Sequence, residues 1–167
     1  LGLANHPALK EAAIKAVEKY GVGSGASRLI CGNIRPHVEL EETIAAFKGT
    51  EAALAFSSGY AAAVGTISAL LGRDDIVVLD KLAHASLIDG ARLSGAKLRA
   101  FAHNDLQKLE TILKWATRLQ SEATHARRIL VITESVFSMD GDLAPLRNIA
   151  EITHRYGGWL MVDEAHS

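Results

Sequence analysis

Cysteine is nearly absent from this 167-residue chain: Cys31 stands alone, so no intrachain disulfide can form, and the usage suits a reducing compartment. Net charge is nearly absent too. Eighteen Lys and Arg against 19 Asp and Glu leave −1, which offers no broad field for nucleic acid or anionic lipid. No long apolar run occurs. The longest, Gly59 to Gly72, is broken by Gly65, Thr66 and Ser68 and falls short of the ~18 to 20 residues that cross a bilayer. No basic segment followed by an apolar one opens the chain, so no export signal is visible and a cytoplasmic location is expected. The chain starts at Leu1 rather than Met, and we expect native residues before it. What is present is a globular balance, 49% hydrophobic and 22% charged, in a length that suits one ordinary domain.

Periodicity then divides the chain. Leu9, Ala12, Ala13, Ala16, Val17 and Tyr20 fall on one helical face between Pro7 and Gly21. A second helix is predicted after Pro36, with Leu40, Ile44 and Phe47 on its buried side, ending at Gly49. Gly21 to Arg35, rich in Gly and Ser, reads as irregular. Beyond it, apolar runs at Ala52–Phe56, Ile76–Leu79, Leu98–Phe101, Ile129–Thr133 and Trp159–Val162 alternate with helical segments. Five strands separated by helices predict an α/β fold with a mostly parallel sheet flanked by helices. The helix from Ser57 to Leu71 is apolar nearly all round and is expected to be buried. The next reads as a surface helix, capped by Asn104 or Asp105 and striped with Leu106, Leu109, Ile112, Leu113 and Ala116. The last opens at Pro145, with Leu146, Ile149, Ala150 and Thr153 facing inward.

Ligands of parallel sheets collect at the carboxyl ends of the strands, and those positions are polar here. Ser57, Ser58, Gly59 and Tyr60 open a helix whose free N–H groups and positive dipole end can hold a phosphate, although an ordinary helix cap has the same composition. Asp80 and His84 follow the second run, and a lone histidine there is as readily structural. TESVFSMDGDLAPL places Glu134, Ser138, Asp140 and Asp142 in one loop, which turn chemistry alone could also explain. The final run delivers Asp163, Glu164 and His166. An acid and an imidazole three residues apart at a strand end point to function. DEAH is also the magnesium box of some helicases, but their phosphate loop GxxxxGK[ST] is missing. GVGSGAS contains no Lys and fails the GxGxxG spacing, and neither HExxH, paired Cys nor GxSxG occurs.

Seven segments in order, NHPALKEA, YGVGSGASR, HVELEETIAAFKGTEAALAFSSGY, DKLAHASLIDGARLSGA, FAHND, TESVFSMDGDLAPL and GGWLMVDEAH, resemble the α-oxoamine synthases. These are pyridoxal phosphate enzymes of the aspartate-aminotransferase-like (type I) fold. FAHND and GGWLMVDEAH are most similar to the biotin-pathway branch, whereas RLICGN and SLIDGARL fit the glycine C-acetyltransferase branch equally.

The resemblance implies that residues 1–50 are a helical segment leading into a large cofactor-binding domain, of which 51–167 form part. The rest of that domain and a small C-terminal domain are expected elsewhere. It further implies pyridoxal 5′-phosphate as cofactor, with Asp163 on the ring nitrogen, His84 stacked on the ring, and Ser138 and His166 near the phenolic oxygen. Ser58, Gly59 and Tyr60 would border the phosphate, Glu134 would lie near the substrate end, and His37 would lie at the edge of the site. The implied reaction condenses an amino acid, L-alanine in the favoured branch, with an acyl-CoA, a pimeloyl thioester there, releasing CoA and carbon dioxide. A homodimer is implied, and neither nucleic acid nor membrane is an expected partner. The family's Schiff-base Lys matches none of the eight Lys here, so residues 1–167 alone are expected to be inactive. A DEAH-type helicase fragment and a non-catalytic scaffold are the alternatives from other classes.

Overall fold

The computed structural model describes residues 2–121 and 127–167, and divides into two compact units, Leu1–Ala55 and Phe56–Ser167. In the first unit a short 3-10 turn, Leu3–Asn5, precedes helix α1 (Pro7–Tyr20), and α2 spans Arg35–Lys48. Each has proline in its first turn, where a missing N–H costs nothing. Gly49, at φ 65°, closes α2 in the left-handed conformation that glycine adopts without strain. The expected apolar stripes do not form a core here: Leu9, Val17, Leu40, Ile44 and Phe47 are all exposed. The buried apolar side chains of the described residues all belong to the second unit.

What organises the first unit is an ion pair. Arg28 grips Glu41 through both terminal guanidinium nitrogens, at 2.5 and 2.8 Å, and also donates to Asn33 Oδ1 and the Ala55 carbonyl. Glu41 Oε1 in turn accepts the Ala55 N–H at 2.7 Å. This explains a correction. Ala52–Phe56, expected as a strand, joins no sheet, because the side chains of Glu41 and Arg28 take the backbone groups of Ala55 that a neighbouring strand would otherwise pair. Its alanine-rich composition gives little strand preference to oppose that.

The second unit alternates helix and strand: α3 (Gly59–Leu70), β1 (Ile76–Asp80), α4 (Ala85–Leu93), β2 (Lys97–Phe101), α5 (Leu106–Ser121), β3 (Ile129–Glu134), α6 (Leu146–Arg155) and β4 (Trp159–Asp163). The sheet therefore has four strands rather than five, all parallel, in the order β2-β1-β3-β4. Val77, Leu79, Leu130 and Ile132 pack with α3 and α4 on one face; Ile76, Val78, Ile129 and Val131 pack with α5 and α6 on the other. This two-face alternation follows from the period of two along each strand. Asp105, whose Oδ1 accepts the Lys108 N–H, caps α5. Two expectations change. Helix α3 buries only Ala63 and Ile67 completely, since one stripe suffices to cover α4 and the sheet, and Ala150 of α6 is exposed. Among the described residues no helix is long and apolar enough to cross a membrane.

Candidate active site

After β1 the chain builds β2 on one side, then passes over β1 to build β3 and β4 on the other. The switch opens a crevice at the carboxyl ends of β1 and β3, where open α/β sheets bind ligands. A cavity of about 350 Å³ lies at this end of the sheet, within the ~300 to 1,000 Å³ typical of small-molecule sites. Gly59 and Tyr60 come to it from the start of α3, His84 from the start of α4, Glu134 from the end of β3, Asp163 from the end of β4 and His166 from the residues just after it.

Strand periodicity explains the convergence. Glu134 follows Leu130 and Ile132 on the face toward α3 and α4, and Asp163 follows Met161 on that same face. Glu134 and Asp163 are direct partners in the β3–β4 register. Buried Glu134 is held by the backbone N–H of His84, which donates to its Oε1 at 2.6 Å, tying the end of β3 to the start of α4. Asp163 Oδ1 accepts the Ala165 N–H at 3.0 Å. His84 Nδ1 accepts the Ser86 N–H at 3.2 Å and lies 2.7 Å from Ser86 Oγ, so a neutral ring carries its proton on Nε2. Ser58 caps α3 by accepting the Ala61 N–H at 3.1 Å. This leaves the N–H groups of Gly59 and Tyr60, which precede the first intrahelical bonds, at the mouth of the cavity.

Of the residues expected at the site, Gly59, Tyr60, His84, Glu134, Asp163 and His166 share the cavity wall. Ser58 sits one residue outside it as the cap. Ser138 is exposed on the loop after β3 and does not line the cavity, and His37 belongs to α2 of the first unit.

A second polar cluster occupies the opposite face of the sheet. Asp80, after Ile76 and Val78, is fully buried there. Its Oδ1 lies 3.0 Å from His103 Nδ1, and its Oδ2 accepts the Asn104 N–H at 3.0 Å. His103 Nε2 lies 2.7 Å from Asp142 Oδ2, which also accepts from Asn104 Nδ2 at 3.0 Å. Burial works against charge on His103 most strongly, yet the hydrogen bonds to Asp142 and Asp80 outweigh it and raise its pKa above the usual 6.5. Sequence reasoning passed over His103. The signal was there, since His103 stands just past the LRAF strand, where the strand-end rule applies as it does elsewhere.

A parallel sheet with a crevice at its switch point, walled by a helix tip, an imidazole and a carboxylate, defines a class: the large-domain architecture of the type I pyridoxal phosphate fold. The profile of the family "Aminotransferase class I and II" matches residues 1–167, and the chain belongs to that family. It is 57% identical to the 8-amino-7-oxononanoate synthase of Geotalea daltonii and 55% identical to that of Geobacter sulfurreducens, each over 99% of this chain and 41% of the relative. The chain thus spans about two fifths of the length of these relatives. Among solved structures, the serine palmitoyltransferase of Sphingomonas wittichii matches with a TM-score of 0.90 and 38% identity, covering 99% of this chain and 40% of that one. A serine palmitoyltransferase variant from S. paucimobilis with bound PLP–myriocin aldimine matches with a TM-score of 0.89 and 36% identity, covering 99% and 40%. The 8-amino-7-oxononanoate synthase of Francisella tularensis matches with a TM-score of 0.77 and 33% identity, covering 99% and 42%.

Proposed function

We propose that the protein carrying this chain binds pyridoxal 5′-phosphate in the crevice and condenses L-alanine with a pimeloyl thioester of CoA, releasing CoA and carbon dioxide in biotin synthesis. The observation that carries this is the meeting of an anion-binding helix tip, the His84 imidazole and the Asp163 carboxylate in one cavity of suitable size. The names of the relatives support the choice of reaction.

The residues fit the group. The start of α3 offers N–H donors and a positive dipole end to a phosphate, and a methyl placed on Gly59 would meet nothing within 4 Å, so the approach is open. When bound, pyridoxal phosphate supplies the electron sink for the carbanion left by a departing α-proton or carboxylate. Asp163 would accept a ring N–H in a charge-assisted hydrogen bond of ~1.5 to 3 kcal/mol, which favours the protonated ring by roughly one to two pKa units. His84 would lie against the ring, held by Glu134 from its backbone side and by Ser86 from its Nδ1. Glu134 is therefore a positioning residue for His84 as well as a candidate near the substrate. His166, and Ser138 from its loop, would act near the phenolic oxygen, and His37 at the edge of the site. The reading carries with it a cytoplasmic homodimer, and it gives residues 1–167 no turnover of their own, because no Lys here matches the family's cofactor-anchoring position.

The test is thiol release from pimeloyl-CoA in the presence of alanine, for the protein carrying this chain and its Asp163→Ala variant. We expect turnover in the first, and in the second a loss of ~tenfold or more in pyridoxal phosphate affinity with no measurable turnover, matching the bond strength above. Equal affinity and turnover in Asp163→Ala would remove the assigned role. Faster turnover of glycine with acetyl-CoA would move the protein to the alternative branch, and heat protection by ATP instead of pyridoxal phosphate would move it to the helicase class.

A further inference from the structure

We propose that His103, outside the cavity, is a positioning residue of the site: as an imidazolium bridging Asp80 and Asp142 it locks the Ser138 loop to the turn that carries His84. The inference deepens the proposed function and rests on that reading for its consequence in cofactor binding.

The geometry requires a shared proton. Asp80 accepts at both oxygens, Oδ1 from the Leu82 N–H at 2.8 Å and Oδ2 from the Asn104 N–H, and the remaining approach to Oδ1 is from His103 Nδ1. Nδ1 is thus a donor. In a neutral ring Nε2 would then accept from Asn104 Nδ2 at 3.2 Å while facing another acceptor, Asp142 Oδ2, at the shorter distance of 2.7 Å, a contact that is repulsive unless a proton lies between them. The charged groups acting on the ring are Asp80 from β1 and Asp142 from the loop, while Asn104 and the Phe137 ring are its neutral neighbours.

Both ends of this bridge lead to the site. Asp80 ends β1, and by accepting from Leu82 it shapes the turn that runs into His84. On the other side, the Phe137 N–H donates to the Asp142 carbonyl at 3.0 Å, and the Gly141 N–H donates to the Phe137 carbonyl at 2.8 Å. Val136 and Leu143 form a bridge just below, making a closed hairpin with Ser138 at its tip. His103 touches both strands of that hairpin, the edge-to-face Phe137 ring at 4.3 Å between centroids and the Asp142 carboxylate. Phe137 is buried and precedes Ser138, so fixing its ring fixes the tip.

Because contact with the two carboxylates raises the pKa of His103, the bridge is complete below the ordinary histidine range and is lost as pH climbs through the raised value. The experiment measures amide-exchange protection factors of Phe137 and Gly141, the nitrogen shifts of the His103 ring, and pyridoxal phosphate affinity, each from pH 5.5 to 9. The samples are the protein carrying this chain and its His103→Gln variant. We expect an imidazolium signature at pH 6 in the unaltered protein. Protection should be about tenfold lower in His103→Gln and flat with pH, with β3 core amides unchanged. Cofactor affinity in the unaltered protein should fall with rising pH more steeply than in the variant. A neutral ring at pH 6, unchanged protection in the variant, or parallel affinity profiles would each overturn the proposal. The ring shifts need no variant, so they decide the matter even if His103→Gln fails to fold. If the unaltered protein binds no pyridoxal phosphate at any pH, the proposed function fails, and the exchange and ring data alone then uphold or overturn the bridge.

Discussion

Two glycines on the wall between α3 and α4 separate packing from binding. A methyl on Gly90 would lie 2.9 Å from Ile67 Cδ1 and 3.1 Å from the Ala63 carbonyl, where Ile67 is fully buried and the carbonyl is helix backbone. The Ile67 methyl can yield only by repacking within a full core and the carbonyl only by moving α3, so Gly90→Ala should cost about 1 to 3 kcal/mol in urea unfolding, as overpacking does. A methyl on Gly59 meets nothing within 4 Å of the protein, yet it sits at the helix tip facing the cavity. Gly59→Ala should leave the urea midpoint nearly unchanged and weaken pyridoxal phosphate binding, read by titrating its absorbance. Equal behaviour of the two variants in both assays would contradict the assignment of the tip. At this scale the sequence showed which side chains were chemically able, Asp163 and His84 among them. It did not show that Glu134 spends one oxygen on the His84 N–H, a contact between residues 50 positions apart.

The loop after α1 and helix α2 are joined by charge rather than by a core. The Arg28 guanidinium and the Ala55 amide hold the Glu41 carboxyl well below its ordinary value of 4.5, at about 2. A depressed carboxylate stabilises the fold fully above its unfolded pKa and loses that contribution as pH falls through the folded one. Exchange protection at the Ala55 amide should therefore hold down to about pH 4.5 and decline from there toward 2. In Glu41→Gln it should be lower at neutral pH and flat across the acid range. A wild-type profile without that decline would contradict the pairing. Most helices of this protein were legible from period and punctuation, and the ends expected at Pro7, Gly21, Gly49 and Asp105 fall within two residues of those positions. The Ala52–Phe56 run was misread as a strand because an apolar run signals burial or extension alike, and only its neighbours decide whether a ladder forms. Here Glu41 and Arg28 occupy the backbone groups of Ala55 first.

Taken whole, the second unit is a sheet with two cores, and its stability should follow burial on either face. Ile132 is fully buried between β1, β3 and the α3–α4 layer, so Ile132→Ala should cost about 2 to 5 kcal/mol, whereas Leu93→Ala, at 66% exposure, should stay within about 0.5 kcal/mol in the same urea titration. Comparable losses would mean that the core on the α3–α4 face does not respond as a packed layer. The sequence by itself determined the class of fold, the parallel character of the sheet, the absence of a disulfide within these 167 residues and the strand-end residues available for chemistry. All of these follow from composition and from periods of 2.0 and 3.6 that are local properties of the chain. The tertiary structure alone decided the strand order, the partnering of Glu134 with Asp163, the placement of Asp80 and His103 on the face away from the cavity, and the exposure of the helical stripes near the amino end. Those depend on which distant segments meet, and a one-residue change of register would send each side chain to the other face without altering a single local preference.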